Sequence, residues 1–160
     1  MKLDNVDVLG FKGEIVSVGD TLNQINEIKN DGEIIQLLNA DAVAGKNHII
    51  HGVNQAFLAF ERRENLANDL SVEIVLRCSA QRQISKAFDI LGLNEGEMNL
   101  CCVLVNCPDY KDQLSSLFEY DESVLAPNND YLKEVYGIGQ CEMPVEDLII
   151  DKISKLVVNY

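Results

Sequence analysis

The chain has 160 residues, of which 47% are hydrophobic and 24% charged, a composition that suits a folded domain and argues against intrinsic disorder. A chain of this size buries roughly 70% of its unfolded surface in one core. With 26 acidic and 13 basic residues its formal charge is −13, which excludes indiscriminate binding of nucleic-acid phosphates over the whole surface.

The opening VDVLGFKGEIVSVG carries short apolar runs broken by glycine and predicts one or two edge strands. DTLNQINEIKN follows as a helix with Asp20 at its N-cap and Leu22, Ile25 and Ile28 on one face. GEIIQLLNA reads as a buried strand. The longest helical pattern spans about residues 45–62, where Ile49, Val53, Ala56, Phe57 and Phe60 recur at offsets of three and four. Gly52 inside it either weakens the helix or marks a close approach. NLANDL extends that helix or forms a short turn. SVEIVLRCS has the β-branched density of a strand, with Val72, Ile74 and Leu76 on one face. MNLCCVLVN predicts an interior strand, ended by Pro108. DYKDQLSSLF and NNDYLKEVYG predict short helices, the second capped by Asn or Asp and closed by Gly137. MPVEDLIIDKISKLVV is a last helix, with Pro144, Glu146 and Asp147 at its start and Lys152 and Lys155 in its later turns, as the helix dipole favours. Strands alternate with helices and no linker divides them. The expectation is a single mixed α/β domain over residues 1–160, with a small sheet of about four strands flanked by helices.

No apolar run approaches the ~20 residues of a membrane helix, and the N-terminal stretch lacks a secretory signal's apolar core. A soluble, cytoplasmic protein is expected. The five cysteines (Cys78, Cys101, Cys102, Cys107 and Cys141) form no Cys-x-x-Cys pair and are read as reduced thiols packed as small hydrophobes.

Charge is unevenly distributed. The window from Lys46 to Lys86 is net +2 and the remainder −15, and all four arginines lie between residues 62 and 82. Such a segment serves either a local anion contact or ion pairing on a helix surface.

At the end of that window stands RCSAQRQISKAFDILGL, residues 77–93. With a strand before it, Ser79 becomes the N-cap of a helix whose apolar face is Ile84, Ala87, Phe88 and Leu91 and whose end is Gly92. Gln81, Arg82 and Gln83 then occupy the first turn, where the dipole disfavours a cation. Arg82 there requires an anion, either a ligand phosphate or a carboxylate such as Glu73 or Asp41.

Catalytic sets are weaker. His48 and His51 stand three apart on one helix without a third ligand at a recognisable spacing, and are read as packing or surface residues. No Walker-type loop, Gly-x-Ser-x-Gly elbow or kinase motif appears. No catalytic residue, metal or cofactor is expected.

The run IIQLLNADAVAGKNHIIHGVNQAFLAF, followed by VEIVLRCSAQRQISKAFDILGL, resembles the CGI/TPRKB family over about residues 34–106. These are the small kinase-binding subunits of the archaeal and eukaryotic KEOPS complex. The resemblance is of the archaeal type and rests most on Gln81-Arg82-Gln83-Ile84, although Ala80 stands where many archaeal members have glycine. It implies a non-catalytic regulatory subunit of the complex that makes threonylcarbamoyladenosine in tRNA. Its partners would be the atypical kinase/ATPase subunit, the tRNA 3′ CCA end and, indirectly, the threonylcarbamoyltransferase subunit, with no membrane partner. Gln81, Arg82 and Gln83 would meet the CCA tail, with Lys86, Arg62 and Arg63 of the basic window beside them. Ile84 would either support a stacked base or pack into the core. The alternatives are a protein-only kinase activator without tRNA contact, and an enzyme built on His48, His51 and a carboxylate. The apolar stripe Leu148, Ile149, Ile153, Leu156 and Val157 is either core or a docking face for the kinase, and part of it is expected in the kinase contact.

Overall fold

The computed structural model describes residues 1–139 and 143–156. Its sheet is built around the run that reads most clearly as an interior strand, β3 (Gly96–Val105). On one side β3 pairs antiparallel with the whole of β1 (Val6–Ile15), from Val6 opposite Val105 to Ile15 opposite Gly96. On the other it pairs with β2 (Ile34–Asn39), from Ile34 opposite Val105 to Asn39 opposite Leu100. A two-residue strand, Glu119–Tyr120, adds to β1 opposite Phe11 and Lys12, giving the order β2-β3-β1-β4. Glycine-containing VDVLGFKGEI is therefore one ten-residue strand rather than two.

Successive β3 side chains point to opposite faces, and both faces are covered. Cys101, Val103 and Val105 join one apolar cluster, while Leu100, Cys102 and Leu104 join another. That two-sided burial is why β3 reads as an unbroken apolar run. On one face lie α2 (Lys46–Arg62), α3 (Leu70–Ser79) and α4 (Ile84–Leu91), contributing Ile49, Val53, Ile74, Leu76, Ala87 and Leu91. The other carries Ile25 from α1 (Val18–Ile28) and Leu114 from α5 (Lys111–Ser115), with Phe118 tilted against Phe11. A third cluster joins Ala44 to Leu132 and Tyr136 of α6 (Asn129–Tyr136) and to Val145, Ile149 and Ile153 of α7 (Val145–Ser154). The mixed α/β class is as expected.

Several local expectations are corrected. Ser17, not Asp20, caps α1: its Oγ accepts from the Asp20 N–H at 3.3 Å, and Asp20 becomes the first-turn acid. The buried face of α1 centres on Ile25, leaving Leu22 exposed. Pro144 is the N-cap of α7 rather than its first helical residue. The largest correction concerns SVEIVLRCS, which is not a strand but helix α3. Asp69 caps it, with Oδ1 accepting from the Val72 N–H at 3.2 Å. Every residue from Glu73 to Ser79 is buried. A helix enclosed on all sides shows no apolar period, so its β-branched run imitates a strand. The count of about four strands survives because Glu119–Tyr120 supplies a fourth where α3 does not.

Four cysteines, Cys78, Cys101, Cys102 and Cys107, are free and buried, as small packed hydrophobes should be. Burial pushes the thiol of Cys78 up to about 12 and holds that of Cys101 well above its ordinary range. Cys141 lies outside the described residues. No described helix is long and apolar enough to cross a membrane.

Candidate functional site

Because residues 70–79 are helical, the Gln-Arg-Gln segment is placed differently from the sequence expectation. Ser79 ends α3, its Oγ donating to the Leu76 carbonyl at 2.9 Å, and does not cap α4. Ala80 then adopts the left-handed conformation, φ 54°, with its N–H on the Arg77 carbonyl and the Gln81 N–H on the Leu76 carbonyl. This is the closure that glycine usually makes, here made by alanine. The chain turns back at once, and α4 begins after Gln83, whose side chain makes no cap hydrogen bond. Gln81, Arg82 and Gln83 thus form the corner between two helices, ahead of the first turn rather than in it.

The corner forms one wall of an open hollow of about 460 Å³, lined by Ala80, Gln81, Arg82, Gln83, Lys86, Lys152, Lys155 and Leu156. Among the described residues, four cations and two amides line it, without a carboxylate. Neither acid considered for Arg82 pairs with it. Glu73 is bonded to Arg77 at 2.7 Å, and Asp41 accepts from Asn99. Among the described residues the ion pairs are Lys12–Asp121, Lys46–Glu122, Arg77–Glu73 and Lys155–Asp151. Of the four lining cations, Lys155 is the one paired with a described carboxylate, at 2.8 Å in an exposed pair, a contact that water screens heavily. Arg82, Lys86 and Lys152 are presented to solvent. The hollow can hold a phosphate-bearing group, with the glutamine amides offering both donors and acceptors to a base edge or sugar.

Other expected residues fall elsewhere. Arg62 and Arg63 are exposed at the end of α2 and do not line the hollow. Ile84 is 50% exposed and also outside the lining; Phe88, one turn on, is exposed beside it rather than buried. In α7, Ile149 and Ile153 have no exposed surface and pack against the Ala44, Leu132 and Tyr136 cluster, so they belong to the core. Leu148 and Leu156 are half-buried. Val157 lies outside the described residues.

The two histidines are structural. His48 is fully buried; its Nδ1 accepts from the Ala44 N–H at 3.0 Å and its Nε2–H donates to the Cys78 carbonyl at 2.7 Å. Burial lowers its pKa to about 4. His51 meets the Ser154 hydroxyl at 2.8 Å, and since that hydroxyl donates to the Ile150 carbonyl, His51 Nε2–H is the donor. Among the described residues no three His, Cys, Asp or Glu side chains are grouped to hold a metal ion.

Lys152 and Lys155 are the site residues that sequence reasoning missed. Their placement in the last turns of a helix is explained by the dipole, which conceals any second role. Their proximity to residues 81–86, some seventy positions earlier, leaves no local pattern.

A family profile described as "Kinase binding protein CGI-121" matches residues 14–156. The chain is also 36% identical over 137 residues to the "Regulatory protein Cgi121" of Methanocaldococcus jannaschii, an alignment covering 81% of this chain and 87% of that protein.

Proposed function

The chain belongs to the CGI-121 family of kinase-binding proteins, and we propose from that premise that it is a non-catalytic, cytoplasmic accessory subunit of the KEOPS complex. In this reading it binds and activates the atypical kinase/ATPase subunit and holds the 3′ CCA end of tRNA, serving the threonylcarbamoyltransferase subunit indirectly. The kinase arm draws its support from the family's description and from the relative's, as a kinase-binding and a regulatory protein. The RNA arm is supported chiefly by one observation: a chain of net charge −13 gathers four cations and two glutamines around a single hollow, with no carboxylate among the described lining residues. Single-stranded RNA ends are recognised by such mixtures of phosphate contacts and amide readout. Arg82 would meet a phosphate, with Gln81 and Gln83 on a terminal nucleotide and Lys86 beside them.

The test is a titration of the purified protein with tRNA and with the same tRNA lacking its CCA end, at fixed low salt. Binding confined to the intact tail, and weakened at least tenfold by Arg82→Glu, is the expected result. Equal binding to both RNAs would reduce the hollow to a nonspecific charge contact. Tail-dependent binding that survives Arg82→Glu would move the RNA away from this corner.

A further inference from the structure

Arg77 is the one arginine of the 62–82 group that is buried, at 5% exposure, with a partner, Glu73, that has none. A buried ion pair is a poor source of stability, because desolvating two charges offsets most of their attraction. Its geometry gives it another meaning. Glu73 Oε2 accepts from Arg77 Nε at 2.7 Å, while Oε1 accepts from the Leu66 and Ala67 N–H groups at 2.8 and 2.7 Å. The carboxylate is thereby fixed, and the guanidinium with it. From that position Nη1 donates to the Leu156 carbonyl at 3.1 Å and Nη2 to the Glu64 carbonyl at 3.2 Å.

Leu156 lines the hollow just past Lys152 and Lys155. On the opposite wall, the Ala80 N–H that closes the Gln-Arg-Gln corner bonds to the carbonyl of the same residue, Arg77, at 3.1 Å. One residue therefore touches both walls, through its backbone on one side and its side chain on the other. Residues 80–86 and 152–156 come from distant parts of the sequence, and Arg77 spans them directly.

We infer that Arg77 is the positioning residue of the hollow: it sets the gap across which Lys152 and Lys155 face Arg82 and Lys86, so that both walls engage one RNA strand. This rests on the reading of the hollow as an RNA site. Lysine cannot substitute, since a single ammonium lacks the planar fork that reaches Glu73, Leu156 and Glu64 together.

The experiment uses the full chain with Arg77→Lys, folding being checked by circular dichroism. Amide exchange of residues 151–156 should accelerate about tenfold or more while α4 keeps its protection, as loss of a charged hydrogen bond predicts. Affinity for a CCA-ending single strand should fall about tenfold for the same reason. A structural role alone would not produce the third result. Removing both lysines (Lys152→Ala with Lys155→Ala) should weaken RNA binding several-fold in the parent and not at all in Arg77→Lys, whereas Arg82→Ala should cost the same in both. Equal cost of the lysine pair in both backgrounds, or unchanged exchange at residues 151–156, would overturn the assignment. Should Arg77→Lys fail to fold, Glu73→Gln with Arg77→Met keeps acceptors for Leu66 and Ala67, buries no charge and is put through the same measurements. Loosening of the α7 end in a protein whose parent binds no RNA would overturn the RNA reading while leaving Arg77's hold on α7 in place.

Discussion

His48 sits in the interior with both ring nitrogens committed, one accepting from Ala44 and the other donating to Cys78. It thereby ties the start of α2 to the end of α3, while its ring stands edge-on to Tyr136 at 5.8 Å. A second proton on the ring would have to sit on Nδ1, facing the Ala44 N–H, so protonation breaks that contact. Burial accordingly lowers the pKa from 6.5 to about 4. The unfolded chain takes up this proton first as the pH falls. The contribution to stability is therefore complete above about pH 6.5 and is lost progressively down to about pH 4, by which point the loss amounts to roughly 3 kcal/mol. Urea titrations at half-unit pH steps should show the unfolding midpoint falling from pH 6.5 to 5, above the range where Glu33 and Asp121, both lowered by hydrogen bonds, begin to titrate. His48→Gln keeps a donor and an acceptor but no proton equilibrium, so its midpoint should fall clearly less than the parent's over that interval, the remaining slope coming from His51, whose pKa burial also lowers. A parallel slope in both proteins would remove His48 as the cause.

Among the elements, α7 carries two opposed expectations on one helix. Its stripe Val145, Ile149, Ile153 is buried, whereas Leu148 stands on the flank of Lys152 and remains half-buried. A kinase contact through this end of the chain therefore has to use half-buried residues such as Leu148, Ile150 and Leu156 rather than the stripe itself. Leu148→Lys should preserve the circular dichroism spectrum and abolish capture of the kinase subunit in a pull-down, and by adding a cation beside Lys152 it should not weaken RNA binding. Ile149→Lys should unfold the chain instead, since it buries an unpaired charge. Undiminished capture by Leu148→Lys would take the kinase contact off Leu148 and its flank of α7. The same scale shows what was legible beforehand. The apolar period of α2, the apolar runs of β2 and β3 and the Asn cap and closing glycine of α6 are strong enough to place these elements within a residue or two. Gly52 is a true hint: a Cβ there would collide with Cys78 Sγ, so the glycine marks the close approach of α2 to α3. α3 was illegible because enclosure removes the period. The one surviving clue was Glu73 and Arg77, an acid and a base four apart inside an apolar run, a spacing at which side chains meet on a helix and not on a strand. Misreading α3 also moved Gln81, Arg82 and Gln83 into a helical turn they do not occupy.

At the scale of the whole molecule, two described hollows differ in charge. The cationic hollow lies between α4 and α7, whereas another hollow of about 560 Å³ is lined by Glu14, Asp41, Glu97 and Glu119 around Lys12. If the proposed RNA strand is held in the cationic hollow alone, the phosphates it engages there are limited to those facing Arg82, Lys86, Lys152 and Lys155. Lys155 already shares its charge with Asp151. For single-stranded nucleic acid each neutralised phosphate contributes about −0.7 to the slope of log affinity against log salt, so the isolated chain should show a slope of about −2 to −3. Arg62 and Arg63 decide the footprint. Outside the lining, they should leave the slope unchanged when both are replaced by alanine, and tail-dependent binding should persist. A slope shallower by about one unit in that variant would extend the RNA path along the end of α2. The measurement is a fluorescence titration of a CCA-ending strand at four salt concentrations, made on the parent and on Arg62→Ala with Arg63→Ala. A slope steeper than about −4 in the parent would require more phosphate contacts than the hollow has cations, and would place most of the affinity outside it.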